Sequence, residues 1–321
     1  MVAIKDFLVR HLDALPIGEY HRSYLRRMLP AIDYYLDIYR HCLGLCARGL
    51  SKPLSEASLV DYGGGHGLLS LLAKQLGWGR VLYVDVNPQA TDTARVLHQA
   101  LGVGADSYLT ADSKDLRSYC QQERFFPDAV LGMDVIEHVY RLDPLVDDLA
   151  AIGHPALLFT TASNPCNPFV CHRLRRYMRG DETGTTEQPN YYTLRRRHIA
   201  QLCPDFDEDS LHTWAAATRG LTFGDVDAAL RLGHLPVPDD PFNTCDPRTG
   251  SWTERVLPLD AYRRIFDAHH YSLSVSNGWY NTHRHLPKRY VARLLNRFDT
   301  ICLAPFIILS AYPLSLHHLC S

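Results

Sequence analysis

The chain has 321 residues, 46% hydrophobic and 21% charged, enough to bury one large core or a core with an inserted subdomain. Its formal net charge of −2 excludes a general attraction to nucleic acid or anionic membrane, because phosphate binding needs a concentrated positive field. It contains no long apolar run suited to a membrane span, and the start at Met1–Asp6 does not read as a secretory signal, so a cytoplasmic globular protein is expected.

From Ile4 to Leu50 apolar residues recur every three or four positions (Phe7, Leu8, Leu12, then Leu29, Ile32, Leu36, Leu43), which is helical spacing. Pro16 and Gly18 divide the stretch into at least two helices. Ser58–Tyr62 then reads as a strand, followed by a glycine-rich turn and a helix through Leu68–Ala73. The rhythm repeats as a strand at Arg80–Val86, a helix at Pro88–Leu101, a short strand at Ser107–Thr110 and a strand at Ala129–Met133. A helix around Leu142–Ile152 and a strand at Ala156–Thr161 follow. Alternating strands and helices imply a doubly wound, mainly parallel α/β sheet.

After Ser163 the rhythm breaks. Pro-, Gly- and polar-rich segments enclose a helical stretch at Thr193–Leu232, and residues 163–257 are expected to form an insertion. The sheet pattern resumes with a helix at Pro258–His270, a strand at Tyr271–Ser276, a helix at Pro287–Phe298 and an apolar run at Ala304–Tyr312. Periodicity leaves the relative direction of those last two strands open. The units expected are a helical segment (1–57), a ligand-binding core (58–162), the insertion (163–257) and the C-terminal part of the sheet (258–321).

The turn Asp61-Tyr62-Gly63-Gly64-Gly65-His66-Gly67 stands between a strand and a helix. There glycine lets backbone approach a ligand, and the helix presents unpaired amides. A dinucleotide fingerprint beginning at Gly63 and Gly65 would need a third glycine at Leu68, so the pattern suits a cofactor without pyrophosphate. Asp85 ends the second strand, where a carboxylate can accept from both ribose hydroxyls. Asp112 follows the third strand, within reach of an adenine amino group.

This order, followed by Pro127-Asp128-Ala129-Val130-Leu131-Gly132-Met133-Asp134-Val135-Ile136-Glu137-His138-Val139, resembles the class I S-adenosylmethionine-dependent methyltransferases, in particular their ubiquinone-type small-molecule branch. The resemblance runs over residues 55–163 and, more loosely, the C-terminal end. It implies a Rossmann-like seven-stranded sheet whose last strand lies antiparallel beside Ala156–Thr161. By position it implies that Asp61, Gly63, Gly65 and Gly67 surround the methionine part of S-adenosyl-L-methionine. Asp85 and Val86 would meet the ribose, Asp112 and Ser113 the adenine, and Met133 and Asp134 the region of the sulfonium. His66 stands where many relatives carry a small residue.

The sulfonium is already a good leaving group, so positioning an acceptor in line supplies much of the catalysis. His138, with Glu137 beside it, is the candidate general base for a hydroxyl acceptor. The competing reading has Glu137 at a helix start and His138 packed against the cofactor loop. Asp134, Glu137 and His138 also resemble part of the metal site of small-RNA 3′-end methyltransferases. That family has glutamate where Asp134 stands, and the Asp-x-x-Glu-His form also occurs in metal-free relatives, so no metal is expected.

The insertion is expected to cap the site and choose the acceptor. It holds two basic clusters, Arg173, Arg175, Arg176 and Arg179 with His172 and Tyr177, and Arg195–Arg197 with His198. These either grip a substrate anion or form a solvated face balanced by Asp205, Asp207, Glu208 and Asp209. Asn243–Arg255 reads either as a loop closing on ligand or as a surface loop anchored by Trp252. The pairs His269-His270 and His317-His318 lack ligand spacing. The nine scattered cysteines suit buried thiols in a reducing compartment.

The expected activity is methylation of an oxygen or nitrogen on a small biosynthetic molecule. The alternatives are an RNA ribose 2′-O-methyltransferase, although nucleic acid is not the expected partner, and a catalytically idle S-adenosylmethionine-binding protein.

Overall fold

The computed structural model describes residues 4–184, 190–238, 240–298 and 300–314; His317-His318 lies outside the described residues. The N-terminal periodicity resolves into three helices, α1 (Ile4–His11), α2 (Glu19–Met28) and α3 (Ile32–Arg48). Leu8, Leu25, Ile32 and Leu43 are their buried contacts with the core.

The core then runs β1 (Ser58–Tyr62), α4 (Leu68–Gln75), β2 (Arg80–Asp85), α5 (Pro88–Leu101), β3 (Ser107–Thr110), α6 (Ser113–Glu123), β4 (Ala129–Met133), α7 (Leu142–Ala150) and β5 (Ala156–Thr161). The sequence reading has no helix over α6. Asp112 starts that helix by accepting from the Asp115 amide at 2.9 Å, and Leu116 and Cys120 bury its inner face.

The insertion supplies α8 (Pro168–Thr183), α9 (Tyr191–Leu202), α10 (Glu208–Ala217) and α11 (Phe223–Leu232), and the chain returns through α12 (Leu259–Ala268), β6 (Tyr271–Asn277), α13 (Lys288–Leu295) and β7 (Ile307–Pro313). The helical stretch expected at Thr193–Leu232 is three helices. Helix α8, absent from the sequence reading, begins where Asn167 accepts from the amides of Phe169 and Val170, with Pro168 in the first turn.

All seven strands form one sheet in the order β3-β2-β1-β4-β5-β7-β6. Strands β1 to β5 are parallel, and β7 enters antiparallel between β5 and β6. The class I methyltransferase resemblance implies this placement of the last strand. Burial explains the assignments: Ile307–Ala311, paired on both sides, is buried throughout, whereas the edge strand β6 alternates after Tyr271.

Alternate residues of the central strands feed two apolar layers. Leu59, Leu131 and Leu158 face the N-terminal helices and α4, while Val60, Val130 and Phe159 face α6, α7 and α12. Between β1 and β4 the connections diverge to opposite sides, opening a crevice at the carboxyl ends of the strands.

Candidate functional site

The glycine turn occupies that crevice. Gly67, at φ 74°, precedes α4 in the left-handed region, and a Cβ there would stand 2.5 Å from the His98 ring. Gly65, at φ 54°, has no heavy atom within 4 Å of where a Cβ would point, so a ligand can approach its Cα closely, while its carbonyl accepts from the Tyr83 hydroxyl at 2.7 Å. Gly63 and Gly64 back onto Val135 and Tyr83.

Two carboxylates brace the turn. Asp85 accepts from the Gly65 amide (2.9 Å) and the Asn87 amide (2.8 Å). Asp61 is buried and accepts from the amide (3.0 Å) and hydroxyl (2.6 Å) of Ser70, holding the first turn of α4 from behind. Burial pushes the Asp61 pKa up to about 7 against the opposing hydrogen bonds from Ser70.

Above the turn is a cavity of about 280 Å³, lined by Asp61, Gly63, Gly65, Asp85, Met133 and Asp134 among others. Helix α2 closes it through Tyr20, His21 and Tyr24, a cover that sequence reading missed. His66 stacks on Tyr24 (ring centroids 4.8 Å apart), and its Nε2 lies 3.4 Å from Nδ1 of His21. Burial, then the neighbouring His21, lowers the His66 pKa to about 4. The bulky His66, noted in the sequence, was the available signal for this roof.

Four residues expected at the cofactor do not line this cavity: Gly67, which backs onto His98, and three that lie beyond Asp85. Val86 is 65% exposed, Asp112 caps α6, and the Ser113 hydroxyl donates to Asp148 at 2.7 Å. They sit at the carboxyl ends of β2 and β3, adjacent strands whose register aligns Asp85 with Thr110, on the rim beyond Asp85.

A larger cavity of about 610 Å³ adjoins the first, and Tyr35, Tyr39, Met133 and Asp134 line both. Its other walls come from Tyr34 and Ile38 of α3, Thr160, the C-terminal residues Tyr280, Val291 and Phe306, and Arg173 of α8. Only Arg173 comes from the helical body of the insertion. The expected cap therefore contributes one arginine, while the N- and C-terminal helices enclose the space.

Asp134 adopts φ 50°, and its amide donates to the carbonyl (3.2 Å) and hydroxyl oxygen (3.1 Å) of Thr160. It lines both cavities and its carboxylate accepts from the Thr160 hydroxyl at 3.4 Å; desolvation, then nearby Glu254, raises its pKa.

Glu137 and His138 line neither cavity. Their backbone pairs with the 243–255 loop: the amides of Trp252 and Arg255 donate to the carbonyls of His138 and Glu137 (both 3.2 Å). His138 Nδ1 donates to the Trp252 carbonyl at 2.8 Å, leaving Nε2 as the unprotonated nitrogen of the neutral ring. The Trp252 indole donates to the Tyr140 carbonyl at 3.1 Å and its ring stacks on Tyr140, so this loop is anchored by its tryptophan.

Glu254, on that loop, brings an oxygen within 4.8 Å of donor atoms of Glu137 and His138 and accepts from Ser163 Oγ at 3.1 Å. Glu137 accepts from the Ala162 amide with one oxygen (3.2 Å), and its other oxygen is buried without a partner. Burial and Asp134 push its pKa well up. Such a group can share protons or hold a hard cation. Glu254 is remote in sequence, and no spacing rule pointed to it.

Three residues of the second basic cluster are engaged in ion pairs within the insertion, and Arg197 is exposed. Arg195 is fully buried against Glu182, Arg196 pairs with Glu208, and His198 meets Asp227 at 2.6 Å. His269 pairs with Asp143 at 3.1 Å.

No protein-family model matches the chain. A 70-residue segment is 44% identical to the ribosomal protein L11 methyltransferase of Dechloromonas aromatica, covering 22% of this chain and 23% of that protein. The Escherichia coli protein of the same name is 26% identical over 133 residues, covering 39% and 43% of the two chains. The chain thus spans between about a quarter and somewhat under half of the length of these relatives. Among solved structures, a putative S-adenosylmethionine-dependent methyltransferase from Listeria monocytogenes aligns over 87% of this chain and 98% of its own at 12% identity and TM-score 0.45. Magnesium protoporphyrin IX methyltransferase from Synechocystis, with bound S-adenosylmethionine, aligns over 49% and 74% at 15% identity and TM-score 0.34.

Proposed function

We propose that this chain is an S-adenosylmethionine-dependent methyltransferase acting on an oxygen or nitrogen of a small molecule. The observation that carries the reading is the wall common to the two cavities. Tyr35, Tyr39, Met133 and Asp134 border both the glycine-turn cavity and the larger one, so a donor and an acceptor can meet across Asp134.

The glycine-turn residues fit the cofactor. Gly65 leaves room for close approach at its Cα in the turn after β1, Asp85 has acceptor capacity beyond its two amide bonds for ribose hydroxyls, and the rim at Asp112 and Ser113 continues toward an adenine. When bound there, S-adenosylmethionine supplies an electrophilic methyl group on a sulfonium. Tyr35 and Tyr39 exclude water from the meeting point, and Asp134 orients an acceptor N–H or O–H and takes up its proton. His138 and Glu137, the bases expected from sequence, are in this reading positioning residues that hold the 243–255 loop behind Asp134. No metal is required, because the Glu137–His138–Glu254 group lines neither cavity.

The relatives are named for methylating ribosomal protein L11, which raises a protein acceptor as the competing reading. The larger cavity's volume of about 610 Å³ favours a small one, since pockets of about 300–1,000 Å³ are the usual size for small ligands. No described helix is long and apolar enough to cross a membrane. The described cysteines are free thiols, which suits a reducing cytoplasm.

The test is calorimetry with S-adenosylhomocysteine, followed by incubation with methyl-labelled S-adenosylmethionine and either a small-molecule extract or ribosomal protein. Binding with label in the small-molecule fraction is expected. No binding would overturn the reading, and label only in protein would overturn its small-molecule part.

A further inference from the structure

The larger cavity carries three cationic side chains, Arg173 from α8, Arg284 from the loop before α13 and Lys288 at the start of α13. All three are exposed, and among the described residues none forms an ion pair. The acids of the adjoining stretch of α3 are already engaged, Asp33 with Lys5 and Asp37 with Arg40 and His283. In a chain of formal net charge −2, three cations without a salt bridge on one cavity form a local positive field.

The other walls are apolar and aromatic, with Tyr34, Ile38, Val291 and Phe306. The one carboxylate among the cavity's lining residues is Asp134, which the cavity shares with the glycine-turn cavity. A like charge repels an anionic group from Asp134, while the arginine forks and the ammonium attract it elsewhere in the same cavity.

Resting on the methyltransferase reading, we infer that Arg173, Arg284 and Lys288 form an anion-recognition site for the methyl acceptor. The acceptor is then an apolar or aromatic molecule carrying a carboxylate or phosphate, bound with its nucleophile at Asp134 and its anion at these three cations.

The experiment uses the full chain saturated with S-adenosylhomocysteine and fluorescence titration with three probes: 6-hydroxy-2-naphthoate, 2-naphthyl phosphate and neutral 2-naphthol. At low salt at least one anionic probe should bind about tenfold or more tightly than 2-naphthol, with the preference shrinking as salt is raised. The tighter of the two anions identifies the group recognised. The triple variant R173Q/R284Q/K288Q should lose the preference while keeping its affinity for 2-naphthol and for S-adenosylhomocysteine. Its substituted side chains are on the surface, and unchanged S-adenosylhomocysteine affinity shows that it folds.

Equal affinity for charged and neutral probes, no binding of either anion at millimolar concentration, or a preference that survives in the triple variant would overturn the inference. Failure to bind S-adenosylhomocysteine at all would instead overturn the methyltransferase reading, so the two failures are distinguishable.

Discussion

The carboxylate of Asp85 accepts a hydrogen bond from the backbone amide of Gly65 at 2.9 Å, tying the end of β2 to the turn that follows β1. The residue assigned to the ribose is therefore also a brace for the glycine turn. Asp85→Ala is expected to weaken S-adenosylhomocysteine binding by about tenfold or more and to lower the melting temperature. Asp85→Asn, which keeps an acceptor of the same size, should recover most of the stability but less of the affinity. Calorimetry and thermal melts on both variants separate the two roles; an Asp85→Ala protein with native affinity would remove Asp85 from the cofactor site.

Asp134 borders both cavities, whereas His138 borders neither. For an acceptor identified by labelling, Asp134→Asn should lower kcat by a factor on the order of 100 with little change in cofactor affinity. His138→Gln, which keeps a donor for the Trp252 carbonyl, should cost far less. A larger loss in His138→Gln than in Asp134→Asn would restore histidine as the base.

Divalent cations give a separate check. With Glu137, His138 and Glu254 set behind Asp134 and off both cavities, chelation by EDTA should leave the initial rate of methyl transfer unchanged. Abolished activity that magnesium or manganese restores would make that group a catalytic metal site.

Arg195 and Glu182 form a buried ion pair joining α8 to α9, and Thr244 donates to Glu182 at 2.6 Å. Glu182→Ala leaves a buried guanidinium without its counter-charge and should destabilise the insertion by about 3–5 kcal/mol. Removing both charges together should cost less. Urea titration followed by proteolysis within α8 and α9 reads the difference.

Two groups at the glycine turn, the half-buried His66 and the buried Asp61, pull stability in opposite directions with pH. His66, lowered to about 4, binds its proton more readily unfolded, so its contribution is complete above the ordinary histidine range and is lost as pH falls toward 4. Asp61, raised to about 7, binds its proton more readily folded, so its protonated form stabilises at low pH and the advantage disappears as pH rises toward 7. Asp61→Asn removes the second effect alone. Relative to the parent, this variant should gain stability by up to about 4 kcal/mol between pH 4 and pH 7. Urea midpoints across that range check the sign, and a pH-independent difference would show that Asp61 does not titrate between them.

Much of this was legible from residue order because it rests on local rules. Strand β1, helix α5 and strands β3, β4 and β5 have the bounds that periodicity and Gly or Pro punctuation indicate, and Gly65 and Asp85 stand where turn chemistry and strand ends put them. Helices α6 and α8 were missed because their polar, charged outer faces mask a narrow apolar stripe; Asp112 and Asn167, both side-chain caps, were the available signals.

Residue order by itself determined the alternation of strands and helices, the glycine turn and its carboxylates, since each depends on near neighbours along the chain. Tertiary structure alone decided that α2 roofs the turn, that Glu254 joins Glu137 and His138, and that Arg173 shares a cavity with Arg284 and Lys288 while Arg195 is spent on Glu182. Those relationships join residues from different elements, and only the packing of helices and loops on one another and on the sheet brings them together.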